Sequence, residues 1–412
     1  SWTLFCPTEA PGLSEVFGDD FEELYTSYED KGLGKQISAR KLWNSIVELQ
    51  VECGVPYVLF KDACNRKSNQ KNLGVIKSSN LCCEVVQYSS PTETAVCNLA
   101  SIALPACVKD GHFDFALLRE LAGELVVNLN NIIDRSFYPV EEARVSNLRH
   151  RPIGIGVQGL SDVYQLLDLP FESTEAAALN SKIFETLYLG CVESSVKQAG
   201  LHGAYESYEG SPASQGLLQF DLWNKETELF YKDEWAIVKE NLKKHGLRNS
   251  LLTTVMPTAS SAGIQNNSES IEPPQSNLFS RRVSSGNHIV INKILVLKLQ
   301  SLDLWTDNIR AQLVKHRGSI QGIPEIPDDV KAVFKTTWEI KQKAVITQCA
   351  ARGRFICQSQ SMNLYYNHTN RSKISAAQMY AWKSGLKTGV YYTRTQMKTA
   401  PQQQQECTSC SA

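Results

Sequence analysis

Asn80-Leu-Cys-Cys-Glu-Val-Val-Gln-Tyr-Ser-Ser-Pro-Thr-Glu-Thr-Ala-Val-Cys97-Asn-Leu-Ala100 is the stretch around which the chain is organised. Read as extended chain, Asn80 to Glu84 alternates its side chains between two faces, so Asn80, Cys82 and Glu84 project together while Leu81 and Cys83 point away. One face then carries an amide, a thiol and a carboxylate. Cys97 follows fifteen residues after Cys82, far enough for the chain to turn back and present a second thiol. A thiol is weakly acidic and can close a disulfide with a neighbour, so thiols beside a carboxylate suit redox chemistry coupled to proton transfer. The competing reading is packing, because free cysteine is among the most buried residue types.

The rest of the composition sets the bounds. The chain has 412 residues, 42% hydrophobic and 21% charged, with 42 basic against 43 acidic side chains. That balance describes a globular protein with a large core and offers no electrostatic case for nucleic-acid binding. No apolar run approaches the roughly eighteen residues of a membrane span, and no signal peptide opens the sequence. Twelve cysteines, scattered singly except for Cys82-Cys83, fit a reducing compartment better than a secreted disulfide framework, so a cytoplasmic location is expected. The seven histidines show no metal spacing and read as surface or capping residues. No metal site is expected.

Periodicity argues an α/β architecture. Apolar residues at Leu42, Trp43, Ile46, Val47 and Leu49 mark a helix over Ile37–Cys53. Leu118, Leu121, Leu125, Leu129 and Ile132 mark another over Asp114–Asp134. Similar patterns cover 173–199 and 327–352, the latter ending near Gly353 as a capping glycine would. Strand candidates are Tyr57–Phe60, Ile153–Val157, Ser250–Met256, Arg354–Gln358 and Gly389–Thr393. Strands alternating with helices predict a mostly parallel sheet.

Four further motifs could carry chemistry. Gly154-Ile-Gly156-Val-Gln-Gly159 satisfies the dinucleotide-binding spacing, but the polar Ser-Asn-Leu-Arg-His-Arg-Pro before it makes a poor first strand, and no strand-ending acid follows at the right distance. Close backbone packing explains these glycines instead. Pro257-Thr-Ala-Ser-Ser-Ala-Gly263 is the better anion site: small side chains after a strand let backbone N–H groups approach, and Thr258, Ser260 and Ser261 add hydroxyls around Ala259. Such clusters also serve as ordinary caps and turns. Tyr391-Tyr392 follows Gly385-Leu-Lys-Thr-Gly, and adjacent tyrosines in a strand ordinarily divide between core and surface. Past residue 396 the composition turns polar, a tail over 397–412 ending Cys407-Thr-Ser-Cys410. Two cysteines alone make a poor zinc site.

Asn-Leu-Cys-x-Glu followed by Cys-Asn-Leu-Ala-Ser resembles the radical-site loop of the large subunit of class I ribonucleotide reductase. Further matches are Arg-Pro-Ile-Gly-Ile-Gly-Val-Gln-Gly, Pro257–Gly263, Asn-x-Glu-Ser-Ile-Glu-Pro at 267–273, Ser-Asn-Leu-Phe-Ser-Arg-Arg-Val at 276–283 and the Tyr391-Tyr392 segment. The resemblance implies a ten-stranded α/β barrel over residues 1–396 with its first strands missing, and reduction of ribonucleoside diphosphates to deoxyribonucleoside diphosphates. It implies that Cys82 becomes a thiyl radical and that Glu84 accepts the 3′-hydroxyl proton. Asn80 holds the sugar, and Cys97 is one of two reducing cysteines. Thr258, Ala259, Ser260 and Ser261 take the diphosphate, Tyr391 and Tyr392 relay an electron hole, and Cys407 and Cys410 form a shuttle dithiol.

The implied partners are a radical-generating, metal-containing small subunit, a second large subunit in a homodimer, and thioredoxin or glutaredoxin at the tail. ATP and deoxynucleotide effector sites, and the partner of Cys97, are expected upstream of residue 1, so the chain is expected to be the C-terminal half of a longer one and inactive alone. About fourteen residues lie between Tyr392 and Cys407, at most roughly 50 Å fully extended, a shorter tether than the family usually has. Two rivals stand beside this reading. A glycyl- or cobalamin-radical enzyme would have no use for a tyrosine relay, and a non-catalytic homologue would ordinarily have lost residues that are all present here.

Overall fold

The two longest helices arise where apolar spacing and caps agree. Asp114 caps Phe115–Arg135 by accepting from the Leu117 N–H at 2.9 Å, and Leu118, Ala122, Val126, Leu129 and Ile133 turn inward. Ser173 caps Thr174–His202 in the same way, and Gly203, at φ +81°, ends it. These helices pack along each other. A Cβ on Gly190 would lie 2.5 Å from the Arg119 carbonyl oxygen, so glycine is what permits the approach. Ala39–Cys53 is likewise capped by Ser38 and ended by Gly54 at φ +78°.

The computed structural model describes residues 1–223, 227–284, 286–368 and 370–396. The tail over 397–412, with Cys407 and Cys410, lies outside the described residues. Among the described residues no helix is long and apolar enough to cross a membrane.

The centre is a run of parallel segments, but the mostly parallel sheet expected from the alternation of helices and strands holds only there: four of the six two-stranded ladders among the described residues are antiparallel. Leu99–Ala103 pairs in parallel with Gly154–Gln158, Leu99 opposite Gly154. The next segment is 251–256, joined by the parallel bridge Ile155–Thr253, and the next is 358–361, joined by Val255–Gln360. Leu364–Tyr366 continues that segment and pairs in parallel with Thr393–Thr395. Val58–Leu59 runs antiparallel to Thr388–Val390 at the far side. Helices cover this sheet and share its core, while a smaller core gathers Leu295, Leu299, Leu313, Ile320 and Phe334.

Several expected boundaries move, each because a distant contact overrides a local pattern. The single helix expected over 327–352 is two, Asp328–Val333 and Gln342–Gly353. Between them Phe334 is drawn into the smaller core and the Thr337 N–H bonds the Pro274 carbonyl at 2.9 Å. Gly353 is the last residue inside its helix and not a cap beyond it; a Cβ there would meet the Trp223 ring at 2.9 Å. Arg354–Gln358 is a turn, with extended chain beginning only where Gln358 N–H reaches Thr253 O at 3.1 Å. Ser250–Met256 crosses the sheet through isolated bridges without forming a regular ladder. The strand expected at Gly389–Thr393 is divided between Thr388–Val390 and Thr393–Thr395.

The glycine motif is a packing device, as expected. Gly154–Gln158 is buried throughout. A Cβ on Gly154 would sit 2.6 Å from Thr254 Cγ2, and one on Gly156 would sit 2.4 Å from the Thr254 carbonyl oxygen. Gly156→Ala is therefore expected to destabilise the fold by about 1–3 kcal/mol, the ordinary range for overpacking a filled core. Denaturant unfolding at equilibrium checks this, and an unchanged midpoint would contradict the packing argument.

Candidate active site

The stretch after Asn80 lies across the parallel core, pinned by its own backbone. The Glu84 carbonyl accepts from Thr254 Oγ1 at 2.7 Å and from the Ser359 N–H at 2.9 Å. The Cys83 carbonyl accepts from Thr388 Oγ1 at 2.9 Å, and the Val86 N–H donates to Gln358 Oε1 at 3.2 Å. Three neighbouring core segments thus hold one loop in place.

The loop is not extended where the alternation argument needed it to be. Cys83 has φ +65°, its N–H bonds the Asn80 carbonyl at 3.2 Å, and the Asn80 N–H bonds the Val85 carbonyl at 3.2 Å. Asn80 Oδ1 also accepts from the Val85 N–H at 3.0 Å. These bonds close a tight turn, a local solution to backbone pairing that outweighs extension. Asn80 and Glu84 still meet, now across the turn: the Asn80 side chain hydrogen-bonds the Glu84 carboxyl. Burial raises that carboxyl above its ordinary range, and the bond from Asn80 opposes the rise. Glu84 is 2% exposed and its Oε2 has no hydrogen-bond partner among the described residues. One carboxyl oxygen thus stays open to a further group.

The two loop thiols differ in setting. Cys82 is buried, and its sulfur accepts a hydrogen bond from the Tyr391 hydroxyl at 3.5 Å. Cys97 keeps solvent access, while the walls around its thiol and, next, the nearby Glu84 carboxylate push its pKa up. Cys83 is fully buried, as expected of a core residue, and burial pushes its thiol up to about 12.

Tyr391 and Tyr392 continue outward from Cys82. Their ring centroids lie 4.4 Å apart, tilted by 56°. The backbone fixes both: Tyr391 N–H bonds Met362 O at 2.7 Å, Leu364 N–H bonds Tyr392 O at 2.9 Å, and Tyr392 N–H bonds Asn363 Oδ1 at 3.2 Å. Asn363 is in turn held by the buried Glu272, whose Oε1 accepts from its N–H at 3.0 Å and from its Nδ2 at 2.8 Å. Glu272 also accepts from the Tyr365 hydroxyl. The Asn267–Pro273 motif therefore anchors the tyrosine strand. The Arg394 guanidinium covers the Tyr392 ring at 5.2 Å.

The strand that holds Glu84 leads directly to the small-residue loop. Thr258 lies four residues beyond Thr254, at most about 14 Å along the chain. Thr258 is buried at φ +56° and its Oγ1 accepts from the Ser270 N–H at 2.8 Å, so this hydroxyl shapes the loop itself. Ala259, Ser260 and Ser261 are exposed at the start of Ala259–Gln265, with Ser261 Oγ 3.4 Å from the Thr258 carbonyl. Glycine at 263 admits the Arg281 guanidinium, whose Nη1 would lie 2.6 Å from a Cβ there.

Two residues take places that local pattern did not signal. Tyr57 packs on both Tyr391 and Tyr392. Its position depends on a pairing between segments far apart in the sequence, which no spacing rule reads. His150, expected as a surface or capping residue, ends its helix but is buried between Ser207 Oγ at 2.7 Å and Glu93 Oε2 at 3.1 Å, where it ties the far part of the Cys82–Cys97 loop to that helix.

Residues 1–392 match the family described as the barrel domain of ribonucleotide reductase. The chain is 54% identical over 402 residues to the large subunit of ribonucleoside-diphosphate reductase from Plasmodium falciparum, covering 97% of this chain and 50% of that protein. It is 52% identical to large chain 2 of the Saccharomyces cerevisiae enzyme, covering 97% and 46%. Against the Variola virus large subunit it is 50% identical, covering 100% and 55%. The chain thus spans about half the length of the curated relatives it matches. Among solved structures, the alpha subunit of the Actinobacillus ureae class Id ribonucleotide reductase superposes with a TM-score of 0.70 at 28% identity, over 92% of this chain and 64% of that one.

Proposed function

The chain belongs to the ribonucleotide reductase barrel-domain family, and from that premise we propose that it forms the catalytic part of a large subunit that reduces ribonucleoside diphosphates to 2′-deoxyribonucleoside diphosphates for DNA synthesis. The observation that carries the reading is the unbroken contact from Tyr392 through Tyr391 to the sulfur of Cys82. Phenols in contact can hand on an electron and a proton together, and a thiol at the end can give up a hydrogen atom.

In this reading a metal-containing small subunit supplies the oxidant. Cys82 gives its hydrogen atom to Tyr391, and the resulting thiyl takes the hydrogen from the ribose 3′ carbon. Glu84, with one oxygen unpartnered among the described residues, accepts the 3′-hydroxyl proton, and Asn80 orients the sugar. The 2′ hydroxyl leaves as water. Cys97 and a second cysteine, expected before residue 1, supply two electrons and two protons by becoming a disulfide, Cys82 returns its hydrogen atom to the 3′ carbon, and the thiyl so regenerated takes back the hydrogen atom it gave to Tyr391. Cys407 and Cys410 return that disulfide to dithiol by exchange and are themselves reduced by thioredoxin or glutaredoxin. The Thr258–Ser261 turn takes the diphosphate through Ala259 and Ser260 amides and the exposed hydroxyls, with Thr258 holding the turn's shape.

The same proposal includes a ten-stranded barrel completed by segments before residue 1, ATP and deoxynucleotide effector sites on those segments, a homodimer of large subunits and a cytoplasmic setting. The test is formation of deoxyribonucleoside diphosphate by the complete large subunit with its small subunit and a dithiol reductant. Turnover of diphosphates is expected, with monophosphates at least about tenfold poorer because the turn would lose a charged contact. No product under these conditions would refute the reading.

A further inference from the structure

Beside the Tyr392–Tyr391–Cys82 line stands a third phenol. Tyr57 immediately precedes Val58–Leu59, which pairs antiparallel with Thr388–Val390, Val58 opposite Val390. That register sets Tyr57 next to Tyr391. Its ring centroid lies 4.9 Å from that of Tyr391 and 5.2 Å from that of Tyr392, edge-on to the latter at 83°. Its hydroxyl donates to the Tyr392 hydroxyl oxygen at 2.9 Å.

The segment that carries Tyr57 is built onto the tyrosine strand. Thr393 N–H bonds the Gly54 carbonyl at 3.0 Å, and a Cβ on Gly54 would lie 2.9 Å from the Thr393 carbonyl oxygen. Gln50, buried on the preceding helix, donates Nε2 to the Pro56 carbonyl at 2.8 Å. A residue needed only to fill this space could be phenylalanine. A hydroxyl aimed at the oxygen of one of two phenols in contact does something further: it fixes that oxygen and bonds to it when it becomes a phenoxyl.

We propose that Tyr57 is a positioning residue of the radical relay, donating its O–H to the oxygen of Tyr392 and clamping both tyrosine rings so that the hole passes between them in one geometry. The proposal rests on the relay reading above. In the inward step Tyr392 gives one electron and one proton to the oxidant delivered by the small subunit and becomes a phenoxyl. Tyr391 then gives its hydroxyl hydrogen atom to Tyr392, and Cys82 gives its thiol hydrogen atom to Tyr391. Tyr57 keeps its own proton throughout and is neither oxidised nor reduced. Its hydrogen bond stabilises the phenoxyl at Tyr392 relative to the same state at Tyr391.

The test uses the complete large subunit with its small subunit. Tyr57→Phe is expected to lower turnover about 10- to 100-fold with KM for the diphosphate unchanged, the scale on which lost alignment of reacting groups is felt. With 3-aminotyrosine at 392 as a radical trap, electron paramagnetic resonance should show, beyond the couplings of the radical's own amino protons, a hydrogen-bond coupling to a further exchangeable proton that disappears in Tyr57→Phe. Packing alone would not produce such a coupling. Fluorinated tyrosines at 57, which add one or two small atoms and keep the fold, should shift turnover in step with the acidity of their hydroxyl. Turnover within twofold of the unchanged enzyme in Tyr57→Phe, or a coupling that persists there, overturns the proposal. Tyr392→Phe separates the two levels. If it remains active the relay reading itself fails, whereas an inactive Tyr392→Phe beside a fully active Tyr57→Phe removes only the role of Tyr57.

Discussion

Cys82→Ser in the complete large subunit is expected to abolish deoxynucleotide formation, by at least about 10⁴-fold, while substrate affinity stays within about twofold. The substitution is small in every respect but one. A serine hydroxyl occupies less room than the thiol and can still accept the hydrogen bond that Tyr391 donates to Cys82 at 3.5 Å. The turn around it is held by backbone groups of Asn80, Cys83 and Val85, none of which depends on the side chain at 82. Stability should therefore change little. What changes is the hydrogen, which oxygen holds much more strongly than sulfur does. A tyrosyl radical at 391 can then no longer draw it off, and the 3′ hydrogen of the sugar stays in place. Diphosphate binding and turnover should be measured separately on the same preparation. Residual turnover of a few per cent would remove Cys82 from the chemistry and leave it the packing residue that buried cysteines most often are.

How far such a site can be read from sequence depends on how local its causes are. The helices Phe115–Arg135 and Thr174–His202 are legible because apolar period and capping residue lie within the segment they define. Gly154 and Gly156 are legible as glycines with a job, although the carbonyl and methyl groups they make room for sit on Thr254, about a hundred residues away. The turn at Asn80–Val85 is not. Its left-handed residue is Cys83, a residue type that gives no signal for positive φ, and the alternation of faces held only if the chain was extended. The meeting of Asn80 with Glu84 survives that error because a closed turn and an extended face bring the same two side chains together by different routes. Tyr57 lies beyond any local rule, since its hydroxyl partner is 335 positions away. The break between Val333 and Gln342 has the same origin: helical period continues, but Pro274 and the smaller core draw the chain elsewhere.

Glu84→Gln should separate what the carboxyl does for the reaction from what it costs the fold. Burial raises the Glu84 pKa from its ordinary 4.5, with Asn80 pulling the other way, so the folded chain holds this proton more tightly than the unfolded chain does. Stability from this group is therefore fully present below the unfolded value and is lost as pH rises through the folded one. Above that window the wild-type protein keeps a carboxylate in a nearly closed site, with one oxygen lacking a hydrogen-bond partner among the described residues. Glutamine has no such charge, so the variant should be more stable than the wild type at about pH 8 and should lose that advantage towards about pH 4. Its amide can still bond Asn80, which keeps the turn. It cannot accept the 3′-hydroxyl proton, and turnover should fall about 10²- to 10⁴-fold, the usual share of a positioned general base. Denaturant midpoints at the two pH values, read beside turnover, check both halves. Parallel stability curves would mean that Glu84 is not strained by its burial, and near-normal turnover would mean that another group takes the proton.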